Sequence, residues 1–314
     1  MHQPAACVEV LRPGLLTTVQ DLGRRAYQRY GVAVSGAMDP IALRLGNILV
    51  GNDEGAAGLE VTLVGPTLRF TAPAVIAVTG GDLGPALNGK PIPLWQTVAV
   101  EEGDVLTFGG YRSGCRAYVA VAGGIDVPPV MGSRATFLRG GYGGLEGRAL
   151  QAGDRLPLGR PRLPARRLLG RRLPSRTVPD YSTPRPVRFV PGPQDDAFTP
   201  EALETFATGA YTVSTQSDRM GYRLEGPPLK HRAGADIISD YIPVGAIQVP
   251  GNGQPIVLMA DCQMTGGYTK IGVVIGVDIP YMAQRKPGDA VTFQPVTVEE
   301  AIARWRFQEG WIAR

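Results

Sequence analysis

The sequence predicts a mainly β protein with a few short helices. Glycine (42) and proline (28) make up more than a fifth of the 314 residues, and many short Val/Ile/Leu runs lie between them. Frequent turn residues between short apolar runs are typical of all-β folds. The length is sufficient for two domains, each able to bury its own core.

An internal repeat supports two similar β-domains. Three short motifs recur in the same order in both halves of the chain. The matched segments are 88–94 (NGKPIPL) with 252–258 (NGQPIVL), 117–128 with 269–280, and the Gly-Asp pairs at 153–154 and 288–289. We therefore predict a first β-domain over 1–159, an Arg/Pro-rich linker over 160–186, and a second β-domain with a C-terminal helix over 187–314.

Three helices are predicted from their start and stop signals. Asp39 with Pro40 begins the first, and Thr199 with Pro200 begins the second, since a capping side chain followed by proline favours a helix start. The third begins at Thr297, where the Thr-x-x-Glu spacing is that of a capping box.

The positive charge of the chain is local. Residues 160–188 hold nine arginines and one aspartate, a net charge of +8, so that the rest of the chain, with a total of +4, carries −4. A solvated interdomain linker is the simpler interpretation, and a surface for an anionic partner is the alternative. No nucleic-acid partner is expected, because this run contains a single aromatic residue, Tyr181.

The composition excludes several classes of site. Three widely spaced cysteines and two histidines argue against a disulfide framework, a metal centre or a Ser-His-Asp triad. No apolar run is long enough for a membrane span, and the first residues lack the pattern of a signal peptide, so we predict a cytoplasmic location with no membrane partner.

Two motifs of the first half have competing interpretations. GPALNGKP (84–91) approaches a phosphate-binding loop, but Pro91 replaces the hydroxyl residue and Asn-Gly favours a β-hairpin. In SGAMD (35–39), Asp39 caps the helix. Alternatively, backbone N–H groups at the helix start, together with Ser35, hold an anionic group of a substrate, so Ser35, Met38 and Asp39 are substrate-contact candidates.

The second half holds the stronger candidates. In SDRMGYRLEG (217–226), Arg219 and Arg223 belong either to a surface salt-bridge cluster or to a clamp for a carboxylate or phosphate. In MADCQMTGGYTK (259–270), an apolar strand becomes polar at its end, which is where site residues tend to lie. The catalytic candidates in this stretch are Asp261, Gln263, Thr265 and Lys270, and the substrate-contact candidates are Gly266, Gly267 and Tyr268.

Lysine at position 270 is unusual because the chain has four lysines against 28 arginines. A lysine there suggests that the compact charge of an ammonium group is needed rather than the planar guanidinium group of arginine. The alternative is a lysine on a strand with its side chain in solvent. Cys262 is interpreted as a packing residue because no histidine is placed to activate it.

Four segments together resemble the biotin-dependent carboxyltransferase / KipA family, which includes the "allophanate hydrolase subunit 2" proteins. They are GVAVSGAMDPIALRLGNILVGN, AVAGGIDVPPVMGSRAT, SDRMGYRLEG and QMTGGYTKIGVVIGVDIPYMAQRKPGD. The resemblance implies a pair of cyclophilin-like β-barrels. It also implies a KipI-like B-type partner, a LamB/YcsF-like A-type partner, and ATP at the level of the complex. The implied reaction is the ATP-dependent opening of 5-oxoproline to L-glutamate.

The resemblance leaves two alternatives open. One is the carboxyltransferase half of a biotin-dependent urea or amide carboxylase, although the sequence contains no Met-Lys biotin-attachment motif. The other is a non-catalytic KipA-like regulator that binds a KipI-like inhibitor of a sensor kinase. One departure from the family pattern is Thr269, where we expect proline in many relatives.

Overall fold

A computed structural model describes residues 6–313. The described chain divides into two compact units. The first contains the residues up to Arg24 and Ser35–Ser182, and the second contains Arg25–Val34 and the chain from Thr183 onward. The segment predicted as a linker thus belongs to the first unit as far as Ser182, and it is not fully solvated, because Leu168 and Tyr181 are buried.

The first unit consists mainly of two sheets. Its strands are β1 (Cys7–Arg12), β2 (Leu16–Gln20), β3 (Gly58–Thr62), β4 (Thr67–Phe70), β5 (Ala74–Asp82), β6 (Pro85–Leu87), β7 (Lys90–Pro91), β8 (Thr97–Val100), β9 (Val105–Phe108), β10 (Ser113–Val121) and β11 (Arg155–Pro157). The six-stranded sheet has the order β11-β1-β4-β9-β6-β7, and the five-stranded sheet has the order β2-β3-β10-β5-β8. Alternating apolar side chains from both sheets, such as Leu59 and Phe70, form one buried core.

Helix α1 (Pro40–Leu49) packs on β5 and β10 of the five-stranded sheet, and the short helix α2 (Ala165–Leu168) follows much later. The predicted start of α1 is confirmed: the Asp39 carboxylate accepts a hydrogen bond from the Ala42 N–H at 2.9 Å. The chain approaches the sheet closely at Gly46, where an added Cβ would lie 3.0 Å from the Thr79 hydroxyl.

The stretch 84–91 is a hairpin. Strands β6 and β7 pair antiparallel, and both residues between them, Asn88 (φ 50°) and Gly89 (φ 77°), adopt the left-handed conformation. That conformation is the one a two-residue hairpin turn requires, so the hairpin interpretation is confirmed over the phosphate-binding loop.

The second unit contains a closed seven-stranded barrel with the order β12-β19-β16-β17-β14-β13-β20 and a separate two-stranded ribbon, β15-β18. The strands are β12 (Val187–Pro191), β13 (Ala210–Val213), β14 (Gly221–Glu225), β15 (Asp236–Tyr241), β16 (Ala246–Gln248), β17 (Ile256–Leu258), β18 (Thr265–Tyr268), β19 (Lys270–Val274) and β20 (Ala290–Pro295). The prediction of a mainly β chain is confirmed, and so is a β-barrel in this unit.

Three helices accompany the barrel: α3 (Pro200–Thr208), α4 (Ile279–Ala283) and α5 (Val298–Ile312). Thr199 caps α3, and the predicted capping box at the start of α5 is present. Phe206 of α3 stacks on Phe293 of β20 with ring centroids 4.5 Å apart, and Phe189 meets Phe206 at 5.0 Å. These aromatic contacts pack α3 against β12 and β20.

The three repeated motifs occupy comparable local structures. Each Asn-Gly pair lies in a turn, 117–121 and 270–274 lie in strands, and each Gly-Asp pair precedes a strand. The sheets themselves differ between the two units in strand order, so an origin by duplication stays a prediction.

None of the helices within residues 6–313 has the length and apolar character needed to cross a membrane.

Candidate functional site

A buried ion pair joins two of the predicted site residues in the second unit. Arg219 precedes β14, Asp261 follows β17, and these two strands are paired. The guanidinium of Arg219 donates from Nε to Oδ2 of Asp261 at 2.9 Å and from Nη2 to Oδ1 at 3.0 Å. Both side chains are 5% exposed. The Asp261 N–H also donates to the Arg219 carbonyl oxygen, which fixes the ends of both strands.

The neighbours of Arg219 do not form the surface salt-bridge cluster that was one interpretation of this stretch. Asp218 accepts hydrogen bonds from the N–H groups of the turn that follows it, and Glu225 accepts from the Ser214 hydroxyl. Arg223 is exposed on β14, whereas Arg219 is buried. The two arginines therefore lie in different environments, and a clamp or a substrate contact by either one stays a prediction.

Lys270 is the second buried charge of this unit. It opens β19 with 2% of its side chain exposed, and its Nζ lies 2.8 Å from Oδ2 of Asp240 on the ribbon. The Lys270 backbone N–H donates to the Gln194 side chain at 3.2 Å. In the pairing of β19 with β16, the residue opposite Lys270 is the buried Gln248. The hydrogen bond from Lys270 holds the pKa of Asp240 below its usual range. Lys270 is therefore not a solvated strand lysine.

The β15–β18 ribbon carries the remaining candidates of the second unit. Gly266 lies against the barrel: a Cβ there would meet Ile242 Cδ1 at 2.4 Å and Gln248 Nε2 at 2.8 Å. Gly267 is half-buried, whereas Gln263, Thr265 and Tyr268 are exposed. The structure thus places Gly266 of the ribbon against Gln248, the cross-strand neighbour of Lys270, and leaves the side chains of Gln263, Thr265 and Tyr268 toward solvent.

Ser35, Met38 and Asp39 belong to the first unit, where they rest on a buried polar row. The Met38 N–H donates to Glu60 Oε2 at 2.8 Å, and the Asp39 N–H donates to the Tyr118 hydroxyl at 2.8 Å. The Tyr118 hydroxyl in turn donates to Glu60 Oε2 at 2.7 Å. Glu60 and Tyr118 therefore fix the backbone of the segment that leads into α1.

This row crosses the five-stranded sheet on the side that α1 covers. Thr18, Glu60, Tyr118 and Thr79 are direct cross-strand neighbours on β2, β3, β10 and β5. The Thr79 hydroxyl donates to the Ala42 carbonyl oxygen at 2.7 Å, which ties the row to α1. All four residues are at most 1% exposed. The opposite side of the same strands is apolar.

Asp39 caps α1 and is held on its second oxygen as well. Tyr181 donates its hydroxyl proton to Asp39 Oδ2 at 2.7 Å. Burial, with the negative charges of Glu60 and Asp39 adding to it, raises the pKa of Tyr118 well above its usual range. Burial and the negative charge of Asp39 also raise the pKa of Tyr181 well above its usual range. Both phenols therefore act as neutral donors.

Ser35 has φ 56° and donates its hydroxyl proton to the Thr136 carbonyl oxygen at 3.0 Å.

Two further titratable residues of the second unit, Cys262 and His231, are at least half-buried. Burial, and to a smaller extent the nearby Asp261 carboxylate, raises the pKa of the Cys262 thiol to about 12, so the residue is a packing thiol rather than a nucleophile. Burial lowers the pKa of His231, which contacts the Thr269 hydroxyl at 3.0 Å. Within residues 6–313, no three His, Cys, Asp or Glu side chains are grouped closely enough to hold a metal ion.

Sequence reasoning missed Glu60, Asp240 and Gln248. Glu60 lies in the strand GLEVT between two buried apolar residues, and Gln248 ends the apolar strand AIQ. A polar residue within an apolar run was the available signal for both. Asp240 lies in an exposed strand, and nothing in the sequence marks it as the partner of Lys270.

Comparisons with known proteins identify the family of this chain. The chain belongs to the carboxyltransferase domain family: the family model described as "Carboxyltransferase domain, subdomain A and B" matches residues 30–295. The family relationship predicted from the motifs is thereby confirmed.

Individual relatives match over nearly the whole chain. The C subunit of 5-oxoprolinase from Escherichia coli is 40% identical over 97% of this chain and 96% of that protein. A protein of the same name from Haemophilus influenzae is 37% identical over 97% and 96%. The crystal structure of the Kluyveromyces lactis urea carboxylase superimposes with a TM-score of 0.93 at 35% identity and is covered over 29% of its length. This chain therefore spans less than a third of that solved structure.

Proposed function

We propose that this chain is the C subunit of an ATP-dependent 5-oxoprolinase, which opens 5-oxoproline to L-glutamate together with A- and B-type subunits. The observation that carries the proposal is the 40% identity to the E. coli C subunit of 5-oxoprolinase, which extends over nearly the full length of both proteins. The KipI-like B-type partner, the LamB/YcsF-like A-type partner, the use of ATP and a cytoplasmic location are parts of this proposal.

The buried charges of the second unit suit a reaction at a cyclic amide. A lactam is a poor electrophile, and phosphorylation of its oxygen by ATP would make the ring carbon easier to attack. ADP leaves in this step, water adds to the activated carbon, and the ring C–N bond breaks to free the amine and leave a γ-glutamyl phosphate, from which a second water releases phosphate. The phosphoryl oxygens carry negative charge in these steps, and a fixed cation in a site with little water stabilises such charge strongly. Lys270 is a buried cation held by Asp240, and we assign to it the stabilisation of this charge.

The remaining predicted residues receive supporting roles in the proposal. The Arg219–Asp261 pair fixes the ends of β14 and β17 beside the ribbon that bears Thr265 and Gly266. Gln263 and Tyr268 are exposed on or beside this ribbon, where they can contact a substrate or a partner protein.

The test is reconstitution with the A- and B-type partners and an assay of 5-oxoproline-dependent ATP hydrolysis and glutamate formation. Lys270→Met is expected to lower kcat about 10²- to 10³-fold, which is the typical effect of removing one donor to a developing oxyanion. Lys230→Met, at an exposed lysine, is the matched control and should keep full activity. Gel filtration checks that each complex assembles. Wild-type activity in an assembled Lys270→Met complex would contradict the role of Lys270, and an inactive wild-type complex would contradict the proposed function.

A second function is favoured by the superposition on urea carboxylase. This chain would then form the carboxyltransferase half of a biotin-dependent urea or amide carboxylase. The 314 residues contain no Met-Lys pair, so under this alternative the biotin-bearing lysine would lie outside them. Inhibition of the activity by avidin would favour this alternative, and avidin-resistant, bicarbonate-independent turnover of 5-oxoproline would exclude it.

A further inference from the structure

The arginine-rich segment of the first unit is fixed to the edge of a sheet. Residues 160–176 contain seven arginines and no acidic residue. The Thr97 hydroxyl of β8 donates to the Leu168 carbonyl oxygen at 2.9 Å, and the Thr97 N–H donates to the Arg171 carbonyl oxygen at 2.9 Å. The Leu173 N–H donates to the Trp95 carbonyl oxygen, and Leu168 is buried. The segment thus runs along β8 in a defined conformation.

Two of its arginines are used by the fold. Arg162 pairs with Asp53, and Arg171 donates to the carbonyl oxygens of Ile48 and Leu49 at 3.1 and 3.3 Å, where it neutralises the C-terminal end of α1. The other five are exposed, and their side chains make no hydrogen bond or ion pair with any residue between 6 and 313: Arg160, Arg166, Arg167, Arg172 and Arg176.

This arrangement differs from that of other arginines in the same unit. Arg44, Arg69 and Arg148 each lie within 2.8 Å of a carboxylate. Five exposed guanidinium groups within 17 residues, none of them paired with a carboxylate of residues 6–313, make this segment a region of positive potential. Such a region favours the binding of an anion.

Two of the five line a cavity. It has a volume of about 430 Å³ and is bordered by Arg172, Leu173, Pro174, Ser175 and Arg176. This volume lies in the range of small-molecule sites. The charged and hydroxyl-bearing side chains at its border are hydrogen-bond donors, and none is a carboxylate.

We propose that this cavity binds the phosphate group of a small molecule, such as a nucleotide. A phosphate offers three oxygens and up to two negative charges, so that it can accept paired hydrogen bonds from two planar guanidinium groups at once. We take a small ligand as the occupant because the volume is that of a small-molecule site, and an acidic protein surface is an outcome that the test distinguishes. The proposal does not rest on the role assigned to Lys270. Binding is measured on the purified chain without turnover, so a failure of this proposal is distinguishable from a failure of the proposed function.

The test is isothermal titration calorimetry of the purified full chain at low salt with ATP, ADP and inorganic phosphate. Saturable binding with 1:1 stoichiometry is expected for at least one of them. ATP and ADP binding without phosphate binding would identify a nucleotide site, and equal affinity for all three would identify a site for phosphate alone. Arg172→Ala and Arg176→Ala are each expected to weaken binding about tenfold or more, because each removes charge-assisted hydrogen bonds.

Two further variants separate a built site from general attraction. Arg160→Ala removes the same charge from the same segment outside the cavity and should change the Kd less than about twofold after salt screening. Arg172→Lys keeps the positive charge but loses the planar guanidinium group and its paired hydrogen bonds, so this variant should bind the ligand more weakly than wild type. Circular dichroism checks that all variants fold.

Three results would overturn the proposal. The first is no saturable binding of any of the three ligands. The second is an equal loss of affinity in Arg160→Ala and Arg172→Ala, which would mean attraction by net charge alone. The third is tight binding of poly-glutamate with none of ATP, ADP or phosphate, which would mean an acidic protein partner.

Discussion

Breaking the Arg219–Asp261 pair should destabilise the second unit strongly. Both side chains are 5% exposed and share two hydrogen bonds, so Arg219→Met leaves a buried carboxylate without its counter-charge. Removing one partner of such a pair costs about 3–5 kcal/mol. With an m value of about 2 kcal/mol/M in urea, the unfolding midpoint of this unit should fall by roughly 2 M.

The measurement is urea unfolding followed by circular dichroism, with hydrogen exchange in β14 and β17 to assign the transition to the second unit. The double variant Arg219→Met/Asp261→Leu removes both charges and should recover at least half of the loss, because an apolar pair of similar volume needs no counter-charge. Arg223→Met, at an exposed position of the neighbouring strand, should change stability by less than about 0.5 kcal/mol. A loss below about 1 kcal/mol in Arg219→Met, or no recovery in the double variant, would refute the reasoning.

Two further predictions concern single positions in the second unit. Gly266→Ala would place a Cβ 2.4 Å from Ile242 Cδ1 and 2.8 Å from Gln248 Nε2, so the ends of these two buried side chains must move and hydrogen exchange of the β15–β18 ribbon should speed up modestly. Gly276→Ala meets nothing within 4 Å and should leave hydrogen exchange unchanged. Burial by itself would raise the pKa of Asp278, but hydrogen bonds from Arg188 and the nearby charge of a second arginine hold it below the usual range. The stabilisation by Asp278 is therefore complete above the unfolded pKa of about 3.9 and is lost as the pH falls below it. The stability difference between wild type and Asp278→Asn should narrow between pH 5 and pH 2, and a constant difference would contradict the assignment.

Local features of the fold could be predicted from the sequence because neighbouring residues determine them. The helix caps at Asp39, Thr199 and Thr297 depend on side chains that reach an N–H group two or three residues away. The Asn88-Gly89 turn depends on two residues that tolerate positive φ. In each case the groups that interact belong to residues only a few positions apart in the sequence.

The partners of the site residues could not be predicted in the same way. Arg219 meets Asp261 only because β14 pairs with β17, and Lys270 meets Asp240 only because the ribbon folds beside β19. Both contacts depend on strand register, which a single sequence does not specify. The burial of Lys270 likewise depends on the ribbon that covers it.

The arginine-rich segment illustrates how composition alone can mislead. Abundant proline and arginine predicted a solvated linker, but Leu168 is buried and the Thr97 hydroxyl holds the backbone of this segment. Thr97 lies more than 60 residues earlier in the chain, and no feature of the segment itself indicates this anchor.

The polar row beneath α1 gives the five-stranded sheet a means of rejecting incorrect strand alignments. Successive residues of a strand face opposite sides, so a slip of β3 by one position would turn Glu60 into the apolar space between the two sheets. There its carboxylate would lose the Tyr118 hydroxyl and the Met38 N–H, and an unpaired charge in an apolar interior is strongly unfavourable. An all-apolar β3 would permit the slipped alignment at little penalty. Glu60 thus makes folding of this sheet selective for one alignment of its strands.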